Sequence, residues 1–289
     1  MEPFVAYERQ GEPSLFFLER WMKDFPELTA GFTSRRGGVS HHPFESFNIG
    51  LHVQDRPEDV IHNRQLLAKT INMPFDALTF GEQVHGSKVA VVTDEDRGKG
   101  RLSSKEAIQD KDAFITNESN LVLCALYADC VPLFFFDPVK KAMGIAHAGW
   151  KGTALNIASA TVKAMNEQFG TKPEDLLGAV GPSIGACCYE VNDAVLDQVK
   201  KALGEQRAKP ETVGLIIQEQ EKGTYQLNLQ ECNRFFMQKA GILSSRIEVT
   251  QLCTSCSNEW FFSHRKEQGK TGRMAAWIAL RTDDPTKLE

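Results

Sequence analysis

Residues 121–153 read LVLCALYADCVPLFFFDPVKKAMGIAHAGWKGT, and this stretch decides the fold class. Leu121 to Tyr127 is an apolar run of strand length. Val131 to Phe136 is a second, closed by the turn residues Asp137-Pro138. Ala142 to Ala146 is a shorter run that delivers His147 at its end. A helix follows Gly152: Leu155, Ala158, Val162, Met165 and Phe169 recur at three- and four-residue steps, Gly170 supplies the stop, and Gly152 or Thr153 the cap. Buried strands feeding an amphipathic helix place the chain in the α/β class.

The same alternation extends outward. Lys88 to Thr93 reads as a strand. Asp59 to Asn72 reads as a helix with Val60, Leu66, Leu67 and Ile71 on one side. Further helices are expected over Asp193–Leu203 and Leu229–Ala240, and further strands over Arg246–Leu252 and Met274–Leu280. Only 98–110 and 204–214 read as long polar loops. Neither has the character of a linker, so residues 1–289 are expected to form one domain, without internal repeats or low-complexity tracts.

Composition narrows the function classes. At 42% hydrophobic residues the chain has ample material for a core, which excludes disorder. A formal net charge of −5 without a basic stripe argues against nucleic acid as partner. The longest apolar region, Leu121 to Phe136, is interrupted by Ala128-Asp129-Cys130 and is too short to span a bilayer. Residues 1–9, MEPFVAYER, lack a cationic start followed by an apolar stretch. Seven cysteines, an odd number, point to thiols rather than a disulfide framework. The expectation is a cytoplasmic protein acting on a small molecule, with no membrane partner and its oligomeric state open.

Three side chains stand out as metal ligands: His85 in GEQVHG, Cys130 in ADCVP and His147 in HAGWKGT. Each lies where an apolar run ends or is about to begin, the place where α/β proteins gather their chemistry. Two imidazoles and one thiolate suit zinc or copper, and three protein ligands leave one coordination position open. Cys253-Thr254-Ser255-Cys256 is a rival. A zinc ribbon needs a second such pair, and the adjacent Cys187-Cys188 lacks that spacing, so the CxxC is read as structural or site-lining. As a fourth ligand, Cys253 or Cys256 would close the His85–Cys130–His147 site. Glycine-flanked Lys151, at the start of the best helix, is a candidate phosphate holder, as are Arg35 and Arg36 in TSRRGGVS. The aromatic and basic stretch from Phe261 to Arg273 suits a flat ring with an anionic handle, and 181–190 a rigid pocket wall.

In this order, EQVHG, ADCVP, HAGWKGT, GPSIGACCYEV and FFSHRK with GKTGRMA resemble the laccase-domain, or multicopper polyphenol oxidase, family. The resemblance runs from about Thr33 to Ala279. It implies a layered α/β sandwich with mixed sheets, similar to the cytotoxic-necrotizing-factor-like hydrolase fold. It also implies a zinc or copper ion held by His85, Cys130 and His147. The implied activities are phosphorolysis of adenosine, inosine and methylthioadenosine together with adenosine deamination. Copper-dependent phenol oxidation and editing of a peptidoglycan precursor are the alternatives.

The residues arbitrate among these. Multicopper laccases arrange their histidines largely as His-X-His pairs, whereas this chain has seven histidines and no such pair. A multinuclear copper cluster is therefore excluded, and a single copper is the alternative to zinc. Zinc suits deamination because it activates water for attack at purine C6. Asp129, beside Cys130, is the candidate proton carrier. The H-x-E and P-C-x-x-C signatures of cytidine-type deaminases are absent.

Overall fold

The structure, a computed structural model, describes residues 2–220 and 223–282. In chain order the strands are β1 (Phe4–Tyr7), β2 (Leu15–Leu18), β3 (Leu28–Thr33), β4 (Leu78–Phe80), β5 (Val89–Val91), β6 (Ala113–Thr116), β7 (Val122–Tyr127), β8 (Val131–Asp137), β9 (Ala142–Ala148), β10 (Leu177–Val180), β11 (Glu190–Val191), β12 (Ile217–Glu219), β13 (Tyr225–Leu227), β14 (Ile247–Val249) and β15 (Met274–Leu280). The helices are α1 (Glu19–Asp24), α2 (Pro57–Thr70), α3 (Trp150–Ala154), α4 (Ile157–Phe169), α5 (Asp193–Glu205), α6 (Pro210–Ile216) and α7 (Leu229–Lys239).

Among the described residues the strands form two six-stranded mixed sheets, ordered β1-β2-β3-β15-β7-β4 and β14-β10-β8-β9-β6-β5, and a small sheet β11-β13-β12. The pairs β4–β7, β5–β6 and β10–β14 are parallel.

The period-two alternation of strand side chains explains how these sheets stack. On β8, Phe134 and Phe136 pack against Phe32, Leu123, Ala276 and Ile278 of the first sheet. Val131, Leu133 and Phe135 turn the other way, onto Val162 and Met165 of α4, Val199 of α5 and Phe236 of α7. Strand β7 alternates likewise: Leu123, Ala125 and Tyr127 face the second sheet, while Val122, Cys124 and Leu126 face Leu67 and Ala68 of α2. A helix layer, two sheets and a second helix layer result. Both central sheets are covered on both faces, which is why 121–148 reads as almost continuous apolar sequence.

Three expectations are corrected. The helix after Gly152 is two helices, because Asn156 adopts a left-handed backbone (φ 55°) and its side chain caps α4 by accepting from Ser159 N–H. Asn156, not Gly152 or Thr153, is the cap of the long helix, and Leu155 is 58% exposed instead of core-facing. Residues 204–214 are not one loop: α5 runs to Glu205, and Pro210 opens α6 at the first helical position, where its missing N–H goes unused. The strands expected over 88–93 and 246–252 contract to Val89–Val91 and Ile247–Val249. No helix among the described residues is long and apolar enough to cross a membrane.

Candidate metal centre and its cavity

The β8–β9 hairpin explains how residues 17 positions apart meet. Its register pairs Val131 with Ala148 and Pro132 with His147, so Cys130, just before β8, lies beside the end of β9. His85 arrives separately, from the turn after β4, the edge strand that runs parallel to β7. Metal-binding atoms of His85, Cys130 and His147 all lie within 4.8 Å of one another. Cys130 Sγ is 3.9 Å from His85 Nε2, and the two imidazole rings meet edge-on at 4.8 Å. Zinc bonds of about 2.3 Å to sulfur and about 2.1 Å to nitrogen in a tetrahedron place such donors about 3.5 Å apart, so the donor set fits. Gly149 permits this approach: a Cβ there would lie 2.9 Å from His85 Cδ2 and 3.0 Å from Cys130 Sγ.

Asp112, which the sequence reading missed, organises two of the three ligands. It immediately precedes β6, whose Ala113 pairs with Ala146, so its carboxylate faces the end of β9. Asp112 Oδ1 lies 2.8 Å from His147 Nδ1, and both side chains are buried. The carboxylate also accepts backbone N–H bonds from Val84, His85 and Gly86 at 3.2, 2.9 and 2.7 Å. Those bonds hold the left-handed backbone of His85 (φ 61°). One buried anion thus leaves His147 Nε2 free for a metal and fixes the turn that presents His85. In sequence Asp112 is only one polar residue ahead of the apolar run AFIT, and no local pattern distinguishes it.

Charge is shared between sulfur and imidazole. Burial opposes ionisation of Cys130, but the neighbouring His147 and hydrogen bonds from both histidines prevail and lower the thiol to about 6. Burial likewise opposes protonation of His147, yet the Cys130 thiolate and Asp112 raise it to about 9. The thiolate and the imidazolium each favour the charged form of the other.

The centre opens on a cavity of about 640 Å³, within the size range of small-molecule sites. Its cations differ from those expected. Arg35 and Arg36 do not line it. Arg35 donates to Glu45 O and Asn258 O, pairs with Glu267 at 3.0 Å and lies over the Phe262 ring. Arg36 donates to Glu259 O and covers Trp260. Both tie residues 34–36 to the 258–267 segment. Lys151 is exposed and also absent from the lining, although Trp150 beside it takes part.

The lining cations are instead Arg64, Arg265 and Arg273; the imidazoles of His52 and His264 also line the cavity. Arg64 is almost wholly buried, stacks on Phe80 and donates to the carbonyls of Ile49, Gly100 and Arg101. Arg273 donates to the carbonyls of Thr271 and Gly272. No ion pair among the described residues involves Arg64, Arg265 or Arg273. Burial lowers Arg64 to about 9, and burial together with Arg273, Arg64 and His147 lowers His52 to about 4. A cavity wall carrying positive charge without carboxylate partners invites an anion.

Asp129 lines the cavity too, but its carboxylate is engaged. Oδ1 accepts from Thr254 Oγ1 at 2.6 Å, and Oδ2 from Ser263 Oγ at 3.1 Å and Arg265 N at 2.7 Å. Cys253 and Cys256 do not join the His85–Cys130–His147 group. They lie with Cys187 and Cys188 in a second group, separate from the cavity lining.

Known proteins resemble this chain over most of its length. The model of a family described as multi-copper polyphenol oxidoreductase laccase matches residues 29–281. A protein named purine nucleoside phosphorylase YlmD from Bacillus subtilis is 43% identical over 272 residues, covering 93% of this chain and 95% of its own. Its namesake from Geobacillus stearothermophilus is 40% identical over 277 residues, covering 94% and 99%. The crystal structure of YlmD from Geobacillus stearothermophilus superposes with a TM-score of 0.89 at 38% identity, covering 98% of this chain and 100% of that one. A Bacillus licheniformis hypothetical protein named YfiH gives 0.87 at 41% identity, covering 96% and 99%.

Proposed function

Because this chain belongs to the multi-copper polyphenol oxidoreductase laccase family and its relatives are named purine nucleoside phosphorylases, we propose that it is a metal-dependent purine nucleoside phosphorylase. Its substrates on this reading are adenosine, inosine and methylthioadenosine, with deamination of adenosine at the same centre. The observation that carries the reading is an open His2Cys donor set facing a cavity whose arginines lack carboxylate partners.

His85, Cys130 and His147 hold the metal, zinc in preference to copper, and bound there it supplies Lewis acidity. Asp112 holds His147 and the His85 turn in register. Arg64 and Arg273 bind phosphate, in place of Lys151, Arg35 and Arg36. In phosphorolysis a phosphate oxygen bonds to ribose C1′ while the C1′–N9 bond breaks and its electron pair leaves with the base. The arginines hold the anion against that carbon, so the encounter is pre-oriented. Deamination exchanges the C6 amino group for water oxygen and releases ammonia. With three hydrogen bonds already accepted, Asp129 serves to hold the ADCVP turn and the 263–265 segment rather than to carry a proton.

The reading treats the chain as one domain similar to the cytotoxic-necrotizing-factor-like hydrolase fold. A phenol oxidase using one copper in the same donor set has the family description as its support, and a multinuclear cluster lacks the histidines. The test is product analysis with adenosine, with and without phosphate, on protein of measured metal content. Adenine formed only with phosphate, and inosine formed with or without it, are expected. Metal-replete protein that leaves adenosine and inosine unchanged overturns the proposal.

A further inference from the structure

The second sulfur cluster lies outside the machinery of the proposed reaction. Cys187 and Cys188 come from the turn-rich 181–190 segment, and Cys253 and Cys256 from the turn after β14. An isolated bridge joins Ser183 to Cys253, and Thr254 N–H donates to Ser183 O at 3.0 Å, so the segments run side by side. All four Sγ atoms lie within 4.8 Å of one another. Cys256 Sγ is 3.5 Å from Cys187 Sγ and 3.4 Å from Cys188 Sγ. A disulfide requires about 2.05 Å, and all four are free thiols. A zinc tetrahedron with bonds of about 2.3 Å sets its sulfurs about 3.8 Å apart, inside the observed range.

Two neighbouring features suit thiolate ligands. Gly185 N–H donates to Cys253 Sγ at 3.2 Å, an N–H···S bond of the kind that stabilises a metal thiolate. A Cβ on Gly185 would lie 3.3 Å from Cys187 Sγ and 3.3 Å from Cys253 Cβ, so a side chain there would crowd the cluster. Arg265 adds positive charge nearby, donating to Cys188 O and Glu190 O at 3.4 and 3.0 Å.

We propose that Cys187, Cys188, Cys253 and Cys256 form a closed tetrathiolate site for one zinc ion, structural in role and separate from the His85–Cys130–His147 centre. Four protein ligands leave no position for substrate. Zinc entry displaces the thiol protons to solvent and leaves a net negative centre, which the Gly185 N–H and Arg265 offset. The site fastens one cavity wall. Ile184 and Tyr189 of the first segment line the cavity, and Thr254, between the two cysteines of the second, holds Asp129. The inference does not depend on the nucleoside reading.

The test is metal stoichiometry together with alkylation mapping, on full-length protein purified under reducing conditions and loaded with zinc. Two zinc ions per chain are expected, falling to one in Cys187→Ser/Cys256→Ser and to one, from the other centre, in Cys130→Ser. In the wild-type protein, N-ethylmaleimide should label Cys187 and Cys256, both exposed, only after zinc is removed. This arm decides the matter even if the double variant fails to fold. One zinc per chain that the double variant retains, immediate labelling of Cys187 and Cys256 in zinc-loaded protein, or a disulfide among the four would each overturn the proposal.

Discussion

The two metal-capable clusters differ in what surrounds them, and the difference separates chemistry from architecture. His85, Cys130 and His147 supply three ligands, sit at the ends of sheet strands and face a cavity of about 640 Å³. The four cysteines supply four ligands, sit on two loops that run side by side and are absent from the lining of that cavity. Three donors beside a void leave room for a reacting molecule, whereas four donors around one point leave none. The buried support differs as well. The first cluster depends on a carboxylate that accepts four hydrogen bonds. The second depends on a backbone N–H and the approach that Gly185 permits.

The largest effect expected is from His147→Ala, which removes a ligand from the open centre. Nucleoside turnover should fall to background and zinc content by one ion per chain, the ion of the four-cysteine site being retained. Asp112→Asn comes next. It keeps the ligands but cannot serve all four donors, and metal affinity should fall about 10- to 100-fold, read by competition with a chelator. Excess zinc should restore most of the activity, which it cannot do for His147→Ala.

Zinc affinity at the open centre should also depend on pH, because ligation requires neutral His147. With His147 raised to about 9 and Cys130 lowered to about 6, binding between those values displaces one proton. Affinity should rise about tenfold per pH unit from 6 to 9, more steeply below 6, and level off above 9. A flat profile from 6 to 9 would remove the ion pair from the account.

The cavity cations sharpen the contrast on a smaller scale. Arg273→Ala should raise the KM for phosphate about tenfold, the loss expected for a charge-assisted hydrogen bond, and leave the KM for inosine nearly unchanged. Arg35→Ala is the smallest: thermal unfolding should show a loss of about 1–2 kcal/mol, with kcat/KM unchanged, because its guanidinium joins two loops away from the cavity.

How much of this was legible in the sequence follows from the range of the interactions. Strands β7 to β9 are visible because burial on both faces leaves uninterrupted apolar runs. The ligand trio is visible because histidine and cysteine at the ends of such runs have few other reasons to be there. Asp112 was not legible: its role arises from the β6–β9 register, a contact between residues 35 positions apart. Arg35 and Arg36 misled because glycine-flanked arginines have the same local pattern whether they clamp a phosphate or a carbonyl. Only the position of the 258–267 segment decides between the two. The second cysteine cluster was hidden for the same reason. Cys187-Cys188 and Cys253–Cys256 match no ribbon spacing, and tertiary packing alone puts them side by side.

The central claim is that the open centre and its arginine-lined cavity transfer a nucleoside's ribose to phosphate. Its most direct test is incubation of zinc-loaded protein with inosine and radiolabelled phosphate. The account predicts label in ribose 1-phosphate, equimolar with released hypoxanthine and absent in His147→Ala. Hypoxanthine released without incorporation of label, or label incorporated equally by His147→Ala, would contradict it.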